Sequence, residues 1–260
     1  MARVHPTAVV DPRAKLAEAV EVGPFAVIGE NVELADGVEV GSHAVITGKT
    51  AIGRDTRIFP FAFAVLGAEP QVRNLSGEAT ALVIGERNVI REYVSIHIGT
   101  QAGAGCTRIG DDNMIMNHVH IAHDCRIGSH CELASYAGLG GHVEIGDHVV
   151  LGGKTGIHQF VRVGESAFTG GNSMLAKDAP PFSRVAGDRA RFVGLNTVGV
   201  KRRGFAEEAI AALKHAMHLI FRSRLLLEPA LERAEGECGS SHEVARLIRF
   251  LRQSERGFIR

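Results

Sequence analysis

The sequence predicts a mainly β protein: a parallel β-helix over residues 1–196 followed by a small α-helical C-terminal domain over residues 197–260. Aliphatic residues recur at strict six-residue spacing through most of the chain, and that spacing gives way to helical periodicity from about Gly204. Composition agrees. Gly is high at 31 of 260 residues, aromatics are only 5% and Trp is absent, as suits something narrow packed with small and branched side chains.

The repeat runs unbroken through Val4, Val10, Leu16, Val22, Ile28, Leu34, Val40, Ile46, Ile52 and Ile58. Phase is lost between Phe59 and Leu82, resumes at Ile84, Ile90 and Ile96, and slips again across a Gly-rich stretch. It returns at Ile109 and continues through Ile115, Ile121, Ile127, Leu133, Leu139, Ile145, Leu151, Ile157 and Val163. Small or β-branched residues such as Val38, Ala44, Thr50, Val119, Ala137 and Thr155 sit four positions after most of these. A period of six is neither that of an α-helix nor that of a coiled coil, but it is a multiple of the strand period of two. Short strands must therefore alternate with tight turns. No such strand buries its apolar face alone, so successive coils stack, about 4.8 Å apart, into one core.

The Pro180-Pro181 pair and the glycine-bearing run to Gly199 mark the exit from the coils. FAEEAIAALKHAMHLIFRSRLLL and HEVARLIRFLRQ then carry helical spacing and good helix formers.

Charge narrows the partners. Lys+Arg and Asp+Glu balance at 29 each, so nothing global favours nucleic acid or an anionic membrane surface. No apolar run reaches the roughly 20 residues of a transmembrane segment. Cys106, Cys125, Cys131 and Cys238 lack CxxC spacing and the N-terminus lacks a signal peptide's apolar core, so a cytoplasmic location is expected.

The densest group among the 13 histidines is His118, His120 and His123, followed by Asp124. If one coil is three hexads, or 18 residues, then His123, Gly141 and Gln159 fall in one column, with Asp124, His142 and Phe160 beside it. Ala122, Gly140 and His158 form the column on the other side. The resulting patch has the parts of acyl transfer: an imidazole to take a proton, with Asp124 to orient it, and a backbone amide at Gly141 to hold an oxyanion. No Ser or Cys occupies a nucleophile's place beside His123, which favours direct attack by the acceptor. Two other readings stand beside this one. His118, His120 and His123 superficially resemble a zinc set, as in the hexapeptide-repeat γ-class carbonic anhydrases, although they occupy different angular places on a coil. Repeat folds also serve as non-catalytic scaffolds.

The ordered segments HVHIAHDCRIG, LGGHVEIGD, GIHQFVRVG and GLNTVGVKRRGF, with VHPTAVVDP, KDAPPFS and RGFIR, resemble the UDP-N-acetylglucosamine acyltransferases that begin lipid A biosynthesis. The resemblance implies left-handed winding, a triangular cross-section, and a homotrimer with active sites between subunits. It also implies transfer of a (3R)-3-hydroxyacyl group from acyl carrier protein to the 3-hydroxyl of the UDP sugar, with no cofactor and no metal. Carried over, His123 is the general base with Asp124 beside it, and Gly141 is the oxyanion donor. Gln71, Arg73, His120, His142, His158 and Gln159 are expected to line the cleft. Asn196, Arg202 and Arg203 are expected to hold the nucleotide, and Gly171 to limit acyl length, favouring a longer chain. Lys201, Arg202, Lys214, Arg222 and Arg224 are candidates for docking the acidic carrier protein. Three positions depart from the family pattern: Val72 and Asn74 at the sugar, and Val198 near the uridine. They leave open N-acylation of a 3-amino sugar.

Overall fold

Most hexads supply a two-residue strand whose first side chain points out and whose second points in. Ile28, Ile46, Ile58, Ile115, Ile121 and Leu133 are all essentially buried. Described over residues 2–73 and 80–260, the computed structural model is a left-handed parallel β-helix with a helical end. Its strands form three sheets of eleven, nine and eight members, parallel but for the last pair of the largest, one per face of a triangular prism. Register confirms the coil length, with His120 opposite Gly138 and Gly138 opposite Gly156. Val4 departs from the inward pattern at 43% exposure, because the first coil has nothing beneath it.

The small residues four positions on turn the corners, and Val38, Ala44, Val119 and Ala137 there are fully buried. Where Thr takes that place its hydroxyl stays satisfied, Thr155 donating to the Gly152 carbonyl at 2.6 Å. The corners also need left-handed backbone, often at Asp or His, which tolerate it better than most side chains: Asp124 has φ 58° and His142 φ 60°.

The 18-residue register fails most widely at two breaks. Ile52 pairs with Ile84, and Ile84 with Ile109. The larger insertions leave the nine-stranded sheet at Val65–Ala68 and at Ser95–His97, and re-enter the eight-stranded sheet at Ala81–Ile84 and Cys106–Ile109. Both therefore project from a single edge of the prism.

Beyond the coils, Ser183–Ala186 and Arg191–Leu195 close the eleven-stranded sheet as an antiparallel pair. Helices α1 (Thr197–Arg202), α2 (Glu207–Phe221), α3 (Leu227–Cys238) and α4 (His242–Arg252) follow. They share a second core of Leu213, Met217, Leu231, Val244 and Leu247 packed around Phe182. Helix α3 was not evident in the sequence; its Pro229 lies in the first turn, where a missing N–H costs little. The helical spacing expected to run on to Leu227 ends at Phe221. The chain then returns to the prism, where the Ile259 amide donates to the Asp178 carbonyl at 2.8 Å. No helix among the described residues is long and apolar enough to cross a membrane.

Candidate active site

The edge joining the nine- and eight-stranded sheets carries the turns 122–125, 140–143 and 158–161 on successive rungs. His123 Nδ1 donates to Asp124 Oδ2 at 2.8 Å, which leaves Nε2 free for a proton. The Asp124 side chain has no exposed surface. Burial alone would raise its pKa, but the hydrogen bonds from Thr100 and His123 outweigh that and hold the carboxyl below its ordinary range. Gly141 lies directly over the His123 ring: a Cβ built there would stand 2.7 Å from His123 Nε2 and Cε1. Glycine is therefore required by the approach of the ring, and the Gly141 amide donates to no backbone acceptor among the described residues.

His142 stands at right angles to His123, ring centroids 5.1 Å apart, and stacks on Phe160 at 4.4 Å. Burial lowers its pKa, with His123 adding to the effect and Asp124 opposing it. His120 sits on the adjoining face, its Nδ1 2.8 Å from Ser95 Oγ and its pKa lowered by burial and by His97. His158 and Gln159 are exposed on the next rung, and Arg256 donates to His158 Nδ1 at 2.9 Å. Gln71 and Arg73 are exposed in the first insertion on this same edge, while Asn74 lies outside the described residues.

The remaining expected residues lie elsewhere on the prism. Asn196 and Arg203 meet Ser166, on the edge joining the eight- and eleven-stranded sheets, with Arg202 exposed beside them. Both polar ends of the Asn196 side chain are in use: Nδ2 donates to the Ser166 carbonyl at 2.9 Å, and Oδ1 caps α1 by accepting from the Gly199 amide at 3.1 Å. Gly171 is exposed on the third edge, and a Cβ there would meet only the Gly153 carbonyl, at 3.5 Å. One chain thus brings together His123, Asp124, Gly141 and three further imidazoles, and it keeps the guanidinium pair and Gly171 apart from them.

The three histidines of the zinc reading do not converge. His118 is stacked between Tyr93 and Tyr136 on the third edge, at 4.7 and 4.6 Å, His120 faces Ser95, and only His123 stands at the first edge. The set able to share an ion among the described residues is instead His123, Asp124 and His142, with ligand atoms within 4.8 Å. Three donors already occupy Asp124 Oδ2 there. Burial pushes the neighbouring Cys125 thiol up to about 12, so it supplies no thiolate nucleophile.

Sequence reasoning missed Thr100, Gly103 and Arg256. The first two lie in the Gly-rich slip of the repeat, and that slip, one coil before His123, was the available signal. Of the proposed docking cations, Lys214 and Arg224 are exposed, Lys201 pairs with Glu207 at 3.0 Å, and Arg222 donates to the Val193 carbonyl at 3.3 Å.

A prism of hexads bearing a His-Asp pair beneath a closely packed glycine defines a hexapeptide-repeat transferase. Residues 13–48 and 106–141 match the family model described as bacterial transferase hexapeptide (six repeats). Residues 178–259 match that of UDP N-acetylglucosamine O-acyltransferase, domain 2. The chain is 54% identical to the acyl-[acyl-carrier-protein]–UDP-N-acetylglucosamine O-acyltransferase of Myxococcus xanthus and 50% identical to that of Halorhodospira halophila, over 100% of every chain. Its fold superposes on LpxA from Acinetobacter baumannii with a TM-score of 0.95 at 41% identity, covering 99% of both chains. The Francisella novicida UDP-N-acetylglucosamine acyltransferase gives 0.94 at 37% identity, covering 99% of this chain and 94% of that one. The chain belongs to the acyl-[acyl-carrier-protein]–UDP-N-acetylglucosamine O-acyltransferase family.

Proposed function

We propose that this enzyme transfers a (3R)-3-hydroxyacyl group from acyl carrier protein to the 3-hydroxyl of UDP-N-acetylglucosamine, the first step of lipid A biosynthesis, in the cytoplasm. The observation that carries the reading is the His123–Asp124 pair seated under Gly141 in a chain 54% identical to an enzyme of that name. His123 Nε2 takes the proton of the 3-hydroxyl as the oxygen attacks the thioester carbonyl. The Gly141 amide donates to the resulting oxyanion. Collapse breaks the carbon–sulfur bond, leaves an ester on the sugar, and returns the proton from His123 to the carrier thiolate.

Dispersal of the expected residues over three edges supports a homotrimer, in which a neighbouring copy brings Arg202 and Arg203 to the His123 edge. An acyl path along the face between His123 and Gly171 is supported by its outward column, where Gly138 and Gly156 bear no side chain. N-acylation is the second reading, and the observation favouring it is Val72, apolar and 37% exposed in the first insertion where the family presents an acidic residue.

The test offers UDP-N-acetylglucosamine and its 3-amino analogue with hydroxyacyl carrier proteins of several lengths, followed by mass analysis. An ester on the first sugar is expected; acylation of the amino analogue alone would overturn the O-acyl reading. For the trimer, co-expressing His123→Ala with an Arg202→Ala, Arg203→Ala double variant should restore about one quarter of wild-type activity, since random mixing in heterologous interfaces leaves that share of sites intact. No restoration would place all the parts in one chain's site.

A further inference from the structure

The second break in the repeat delivers a side chain that the acyl-transfer steps leave unused. Between Ser95–His97 and Cys106–Ile109 the chain makes a short Gly-rich loop on the active edge, folded around Thr100. The Thr100 carbonyl accepts from the amides of Gly103 and Gly105 at 3.1 and 3.0 Å. Its own amide donates to both carboxylate oxygens of Asp124, at 3.1 and 3.0 Å, and its hydroxyl donates to Oδ2 at 2.6 Å. That oxygen is the one that accepts from His123 Nδ1 at 2.8 Å. Gly103 packs so closely on the carboxylate that a Cβ there would also stand 2.6 Å from His142 Cε1.

We infer that Thr100 is a positioning residue for acyl transfer: its hydroxyl and amide lock the Asp124 carboxylate in the one orientation that aims His123 at the acceptor hydroxyl. The inference rests on the reading of His123 as general base. An Asp side chain swings readily about its χ angles, and a carboxylate that swings lets the imidazole it orients swing too. Two donors from one residue, on both oxygens, remove that freedom in a way that a single hydrogen bond does not. The coil alone lacks this contact, because every regular rung turns the same edge in four residues. Only an insertion reaches back over the carboxylate.

Thr100→Val keeps the shape and the amide and removes the hydroxyl. It should lower kcat roughly 10-fold or more, the usual weight of a hydrogen bond to a charged group, with KM within about 2-fold. Thr100→Ser, which keeps the hydroxyl, should restore kcat. Gly103→Ala, which pushes the loop off Asp124, should reproduce the loss. The low-field proton of the His123–Asp124 hydrogen bond, followed by NMR, should be sharp in wild type and Thr100→Ser and broadened in Thr100→Val, and this readout does not depend on turnover. Wild-type kcat and an unchanged proton in Thr100→Val would overturn the inference, as would a Thr100→Ser variant as impaired as Thr100→Val. His123→Ala assayed in parallel separates the two claims. Full activity there removes the base while leaving the NMR result to judge Thr100.

Discussion

Nδ1 of His123 lies 2.8 Å from a carboxylate oxygen of Asp124, whose side chain has no exposed surface. A buried carboxylate bonded to one ring nitrogen fixes the tautomer and turns the other nitrogen toward the acceptor. Replacing His123 by Ala should lower kcat by about 10²- to 10⁴-fold, the usual contribution of a general base, without changing the melting temperature by more than a few degrees. Asp124→Asn should impair kcat as well, through the loss of ring orientation. Steady-state kinetics with a melting curve checks both, and wild-type turnover in His123→Ala would remove the proposed base.

Gly141→Ala is expected to be strongly impaired for a geometric reason. The added methyl would fall 2.7 Å from His123 Nε2, far inside van der Waals contact, so the ring must move by the better part of an ångström. Displacements of that size at a reacting centre cost about 10²-fold in rate. The chain should still fold, since the collision is with a half-buried side chain at an edge. Circular dichroism and kcat together decide the matter.

Acid should unfold the protein in two stages. His120 and His142 have pKa values lowered by burial, so the unfolded chain takes up protons first; this stability is complete above the ordinary histidine range and is lost as pH falls through the lowered folded values. Asp124 is also lowered, so its contribution is present above the ordinary carboxylate range and disappears only at more acidic pH, on passing through its folded value. Melting temperatures measured from pH 8 to pH 3 should fall in both windows. His142→Gln should flatten the upper one and Asp124→Asn the lower.

Gly171 offers a test of acyl selection that leaves the fold alone. It is exposed, and a side chain there would meet only the Gly153 carbonyl, at 3.5 Å. Gly171→Met should therefore fold normally and shift the preferred donor to a shorter hydroxyacyl chain, read as the mass of the product. An unchanged preference would detach Gly171 from the acyl path.

The β-helix was legible in the sequence because its strongest force is periodic. Ile28, Ile46 and Ile58 are buried for the same reason that they are spaced by multiples of six, so the hexad reports the core directly. Columns 18 residues apart extended that legibility to the site, and His123 does lie against Gly141. The breaks were a different matter. Their positions showed as lost phase, but nothing in GTQAGAG says that Thr100 folds back onto Asp124, because a loop's path depends on what it meets. Helix α3 was missed for a related reason: its apolar side chains are spent on a second core around Phe182, which the local pattern around Pro229 does not reveal.

The amino-acid sequence by itself determined the hexad period and the stacking of short strands, since an aliphatic residue at every sixth position is one that is buried; three hexads to the coil, and with them the contact of His123 with Gly141, were decided by the strand pairing. Tertiary structure decided which edge each remaining residue occupies: Arg203 against Ser166 on one, Gly171 on another, and both insertions beside His123 on the first. It also decided that a buried carboxylate receives three donors from a loop and a ring that no repeat connects. Periodicity constrains neighbours along the axis, whereas position around it in the irregular segments is set by packing and hydrogen bonding between residues far apart in the chain.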